Sequence, residues 1–123
     1  SIINLNKYSY EKNQGFNDSP FGIVGLETAL GLAYTYLVKT GIISFEQLIE
    51  KMSINPRNIL RLEEVKICEG EKANFTVMDR NAKWKIDTSR FRSKSRNTPF
   101  DGFEVQCKPY CIINNDQIYF TKL

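Results

Sequence analysis

The side chains that could do chemistry in this 123-residue chain are few, and their types are restrictive. Arg90, Arg92, Lys94 and Arg96 alternate with Phe91 and serines, a pattern that superficially suits phosphate or nucleic-acid binding. Four charges in one loop are more commonly a solvated or ion-paired surface. Glu27 could be imagined as a general acid, but a carboxylate in the first turn of a helix is favoured there by the macrodipole alone. Asp79, Asp87 and Asp101 fall at turn positions and show no paired-carboxylate pattern. The three cysteines, Cys68, Cys107 and Cys111, are an odd number, so they cannot form a complete disulfide framework. The spacing of Cys107 and Cys111 suits a strand and turn better than a zinc knuckle, which would need a second ligand pair. All three read as reduced thiols of a cytoplasmic protein. Histidine is absent altogether. That excludes a Ser-His or Cys-His nucleophile pair, an imidazole base and His-liganded zinc within the stretch.

Composition sets the frame for these groups. A hydrophobic fraction of 41% and a charged fraction of 25% describe a globular chain, and a net charge of +3 is too mild to imply a polyanionic partner. Residues 21–38 form the longest apolar-rich stretch, but Glu27 and several polar residues interrupt it, so it falls short of a membrane span. No charged n-region with a following apolar run opens the chain, so no signal peptide is expected. The first residue is Ser1 and not Met, which suggests that the natural N-terminus lies elsewhere.

The elements that would position these side chains fall into two textures. Residues 1–20 are polar, Asn-rich and punctuated by Gly15 and Pro20, as expected of an arm or loop. Leu26, Ala29, Leu30, Ala33, Leu37 and Val38 recur at helical steps, with Gly41 as the residue that ends the run. Ser44 and Gln47 form a capping box for a second helix, whose apolar face is Phe45, Leu48, Ile49 and Met52. Asn55 and Pro56 predict a separate third helix, capped by Asn55 and ending near Leu62. Beyond Glu63 the pattern alternates with period two. It predicts strands at Val65 and Ile67, at Phe75 and Val77, and at Trp84 and Ile86, with Asp79-Arg80-Asn81 as a turn. A hairpin is expected over residues 110–113 and 117–121. About sixty residues of arm and helix thus precede about sixty of small β structure. Each is too small to bury itself well, which points to the end of something larger.

Four segments make that expectation specific. PFGIVGLETAL at residues 20–30 resembles the segment that follows the last catalytic strand in bacterial type I dihydroorotases. SINP at residues 53–56 resembles that family's Ser/Thr-x-Asn-Pro helix start. SKSRNTPFDG at residues 93–102 is similar to its Ser-Lys-Ser-Arg-Asn-Thr-Pro-Phe motif almost letter for letter. GEKANFTVMD at residues 70–79 resembles a family strand, with Asn74 where Asp is usual. The four occur in the family's order and spacing, from about Glu11 to the C-terminus.

The resemblance implies an α/β fold: the C-terminal helices of a TIM (β/α)8 barrel in residues 1–62, followed by strands of a small β-sandwich domain in residues 63–123. It implies a zinc-dependent cyclic amide hydrolase that interconverts carbamoyl-aspartate and dihydroorotate in pyrimidine synthesis, its zinc held by histidines, a carboxylated lysine or an aspartate. The family's Asp-His-Ala-Pro-His motif should lie just before Glu11. Counting back places Ile3 and Asn4 where Asp and the first His belong, and Lys7 where the second His belongs. Either the strand is missing and residues 1–10 are a distorted junction, or the motif has degenerated. No residue here can therefore ligate zinc in the family's manner, and the stretch alone is expected to be inactive. What carries over is substrate binding by the main chain of Phe21 and Gly22, with Gly22 permitting close approach to the ring. The basic loop becomes an interdomain structural element. Expected partners are the remainder of the barrel, the small-molecule substrate, and a second copy or aspartate transcarbamoylase, with neither nucleic acid nor membrane. Two other readings differ in kind: a catalytically silent subunit kept for assembly, and a small nucleic-acid binder resting on residues 90–96.

Overall fold

The computed structural model describes residues 22–64, 66–115 and 117–121. The expected arm, Phe21 and Val65 lie outside the described residues.

The first helix, α1 (Ala29–Ala33), widens directly into a π-helical turn at Tyr34–Val38, where the Lys39 N–H donates to the Tyr34 carbonyl at 3.0 Å. Gly41, at φ +76°, ends the run as expected. Its buried positions are Thr28, Gly31 and Tyr34, whereas Leu26 is 94% exposed. The expected stripe is met in part: Leu30, Ala33 and Val38 pack against the core, but Gly31, which is not in that stripe, faces the sheet. The reason is steric: a Cβ at Gly31 would stand 2.8 Å from Trp84 Cζ2 and 3.1 Å from Val105 Cγ2. Only glycine lets the helix lie this close to the strands.

Ser44 and Gln47 cap α2 (Phe45–Ile49) reciprocally, with bonds of 3.1 Å and 2.8 Å. The expected break before Pro56 does not occur. A π-helical turn at Glu50–Ile54 links α2 to α3 (Asn55–Ile59), and Asn55 is helical at φ −62°, not a cap. A proline inside an α-helix forfeits an i−4 bond and crowds the carbonyl one turn back. Here the bonding has already shifted to i−5, with the Asn55 N–H on the Glu50 carbonyl, so the helix continues.

Strands β1 (Phe75–Lys85), β2 (Glu104–Asn114) and β3 (Gln117–Phe120) form one antiparallel sheet in that order. Residues 79–81 are not a turn between two strands. Asp79 still pairs with Lys108, and residues 80–82 form a bulge inside β1, opposite Cys107, which itself takes φ +74°. Asp79 Oδ1 organises the bulge by accepting the N–H groups of Asn81 and Ala82 at 2.8 Å and 3.1 Å. The side chains of Gln106 and Trp84 donate to the Arg80 and Cys107 carbonyls. The hairpin at Asn115 is as expected, with Asn115 left-handed at φ 48°. Ile67 is 81% exposed and belongs to no strand.

Helices and sheet share one core of Tyr34, Leu48 and Cys107, with Leu30, Ala33, Val38, Ile43, Phe45 and Met78 around it. Tyr34 and Phe45 meet edge to face at 5.9 Å, and the Arg80 guanidinium lies 4.3 Å from the Phe45 ring centre. Among the described residues, no helix is long and apolar enough to cross a membrane.

Candidate functional site

The segment from Gly22 into α1 carries the one expected substrate-binding residue that is described. Gly22 sits at φ +70°, a left-handed conformation that favours glycine, and a Cβ there would meet no atom of the described residues within 4 Å. Its conformation, not crowding, sets the residue type. Downstream, Thr28 is fully buried, and its hydroxyl and N–H both donate to the Gly25 carbonyl, at 3.2 Å and 3.1 Å.

The basic loop holds this segment at two places. Asn97 Nδ2 donates to the Gly22 carbonyl at 2.8 Å, while the Asn97 carbonyl accepts the Val24 N–H at 2.8 Å. At the other end, the two carboxylate oxygens of Glu27 accept the N–H groups of Arg92 and Ser93, each at 3.0 Å. Glu27 is therefore neither a free acid nor merely a helix-start charge. It is an anchor for a loop some sixty-five positions away. Composition gave no sign of this pairing, because the partners are main-chain groups and carry no residue identity.

The loop is also tied to itself. The Arg96 guanidinium donates to the carbonyls of Phe91, Ser93 and Ser95. One of the four cations expected at the surface is thus a loop organiser. Asp87 Oδ1 accepts from the N–H and hydroxyl of Ser89, which holds the Asp87 carboxyl below the usual carboxylate range. Asp101 accepts the Thr88 N–H at 2.9 Å. All three turn aspartates bind backbone amides, as their positions suggest.

The remaining candidates point away from chemistry on this stretch. Cys107 and Cys111 are buried free thiols and Cys68 is an exposed one. Burial raises the Cys107 thiol further from its reactive form. Among the described residues no three His, Cys, Asp or Glu side chains gather as a metal site, and the donor set lacks imidazole entirely. These residues do not fit a zinc centre. A depression of about 450 Å³ is lined by Thr35, Lys39, Lys83, Trp84, Lys85 and Glu104, among others, and none of the Gly22, Glu27 or Asn97 groups reaches it.

No protein-family model matches the chain. Curated relatives do. It is 42% identical over 108 residues to a dihydroorotase of Acetivibrio thermocellus, covering 88% of this chain and 25% of the relative. It is 43% identical over 109 residues to the dihydroorotase of Chlorobaculum tepidum, again covering 25% of the relative. This stretch is homologous to the C-terminal part of the dihydroorotases. It spans about a quarter of the length of these curated relatives. Among solved structures, the L-hydantoinase (dihydropyrimidinase) of Arthrobacter aurescens superposes with a TM-score of 0.75 at 30% identity, over 88% of this chain and 25% of that one. The helices and small antiparallel sheet are thus a dihydroorotase-like fragment of the amidohydrolase architecture.

Proposed function

We propose that this stretch works as the C-terminal part of an intact dihydroorotase, a cyclic amide hydrolase interconverting N-carbamoyl-L-aspartate and L-dihydroorotate in pyrimidine biosynthesis. The identity of 42–43% to dihydroorotases over nine-tenths of the chain carries this reading. Residues 1–62 would supply the arm and closing helices of a (β/α)8 barrel, and residues 63–123 the strands of a small β-sandwich domain. The main chain at Phe21 and Gly22 would contact the dihydropyrimidine ring. A left-handed glycine in open space is compatible with a ligand lying against its backbone. Zinc, where the intact enzyme uses it, would be held by residues outside this stretch. The free thiols favour a cytoplasmic setting. A second copy or aspartate transcarbamoylase would be the macromolecular partner.

The test is the intact mass of the natural polypeptide together with its dihydroorotate hydrolysis. A product several times this size, active with dihydroorotate, is expected, while the isolated 123-residue chain shows neither activity nor stoichiometric zinc. An active or zinc-loaded isolated chain would contradict the assignment. A stable native product of only 14.2 kDa would replace it with a silent assembly subunit.

A further inference from the structure

We infer that Asn97, with Glu27 behind it, is a positioning residue for the backbone of Gly22, a role that rests on the proposed contact between Gly22 and substrate. Glycine is the residue type with the widest conformational freedom, and among the described residues nothing would crowd a side chain at Gly22. Left to itself, such a backbone samples many orientations, and a ligand binding to it must first order it. That ordering cost lowers affinity. Asn97 removes the freedom from both sides of the peptide path. Its side-chain amide fixes the Gly22 carbonyl at 2.8 Å, and its own carbonyl fixes the Val24 N–H at 2.8 Å. A single residue thus holds positions 22 and 24 in register.

Asn97 is itself held. Its loop is anchored to the same segment through Glu27, which accepts the Arg92 and Ser93 amides at 3.0 Å, and the Arg96 guanidinium binds the Phe91, Ser93 and Ser95 carbonyls between the two anchors. Segment and loop therefore form a closed circuit: Gly22 to Asn97, through the loop to Arg92, and back through Glu27. Hydrogen bonds this exposed add little to overall stability, because water competes for both partners. Their effect is geometric. They select one orientation for the Gly22 backbone.

The experiment uses the natural full-length polypeptide with three variants, Asn97→Ala, Asn97→Asp and Gly22→Ala, each checked for native circular dichroism. KM and kcat are measured for dihydroorotate, and amide exchange is followed at Val24. Asn97→Ala is expected to raise KM about five- to tenfold, the cost of losing roughly one hydrogen bond's worth of ordering. Its kcat should change far less, and Val24 exchange should stay slow, because alanine keeps the main-chain carbonyl that accepts the Val24 N–H. Asn97→Asp, which keeps the size but sets a carboxylate against the Gly22 carbonyl, should raise KM at least as much. Both variants matter, because either one folding is enough to decide. A raised KM in Gly22→Ala with KM unchanged in the folded Asn97 variants overturns the positioning role and leaves the substrate contact standing. An unchanged KM in Gly22→Ala overturns the contact and the inference with it.

Discussion

Two seams join the helical part of this chain to its β part, and they are built from opposite materials. The first is apolar and tight: α1 lies on β1 and β2 through Gly31, Trp84 and Val105, with Tyr34, Leu48 and Cys107 sealed beneath. The second is polar: Glu27 and Asn97 tie the Gly22 segment to the loop at residues 91–98 by hydrogen bonds. Burial of apolar surface is non-directional and stabilises in proportion to area, whereas hydrogen bonds are directional and contribute only about 1 kcal/mol net each. The first seam should therefore hold the fold together. The second should set where one short piece of backbone points.

The contrast breaks most visibly at Leu48, which is 2% exposed in the shared core. Leu48→Ala should destabilise by about 2–5 kcal/mol, read as a shifted denaturant midpoint. A cost below about 1 kcal/mol would mean that the apolar seam is not a packed core. Gly31→Val comes next. Its side chain must displace Trp84 or lift the helix, at about 1–3 kcal/mol. The indole fluorescence should shift as well, because Trp84 is the nearest neighbour of the new side chain. At the polar seam, Glu27→Ala should cost less than about 1 kcal/mol in chemical denaturation. It should nevertheless speed the exchange of the Arg92 and Ser93 amides, separating stability from local order. The smallest effect concerns pH. The Asp87 carboxyl lies below its ordinary range because Ser89 donates to it, so its contribution is present above the unfolded value and fades as pH falls through the lowered folded value. An NMR titration of Asp87 should place its midpoint below that of an unstructured aspartate, and Ser89→Ala should return it toward the ordinary value.

The sequence made one seam partly legible and hid the other. The capping box at Ser44 and Gln47, the stop at Gly41 and the hairpin at Asn115 were readable because each is decided within a few residues. Leu48 was readable as core from helical spacing. Leu30, Ala33 and Val38 were readable in the same way, but the close approach at Gly31 was not, since Gly31 is buried only because Trp84, more than fifty positions later, comes to lie against it. The continuous helix through Pro56 was also hidden, because a π-helical turn leaves no mark in residue type. Asp79-Arg80-Asn81 carried correct turn chemistry, yet the turn became a bulge within one strand, a choice made by the partner strand's register. The polar seam was legible only as resemblance. SKSRNTPF was recognisable, but that its Asn97 and backbone grip Gly22, Val24 and Glu27 follows from long-range geometry that no local pattern encodes.

Native-state amide exchange compares the two seams in one experiment. The Val24, Arg92 and Ser93 amides should exchange together through a small local opening insensitive to denaturant. The Gln106 amide, bonded to Thr35 Oγ1 at 2.8 Å across the apolar seam, should exchange only through global unfolding. Equal opening energies and equal denaturant dependence at both sets of amides would contradict that difference.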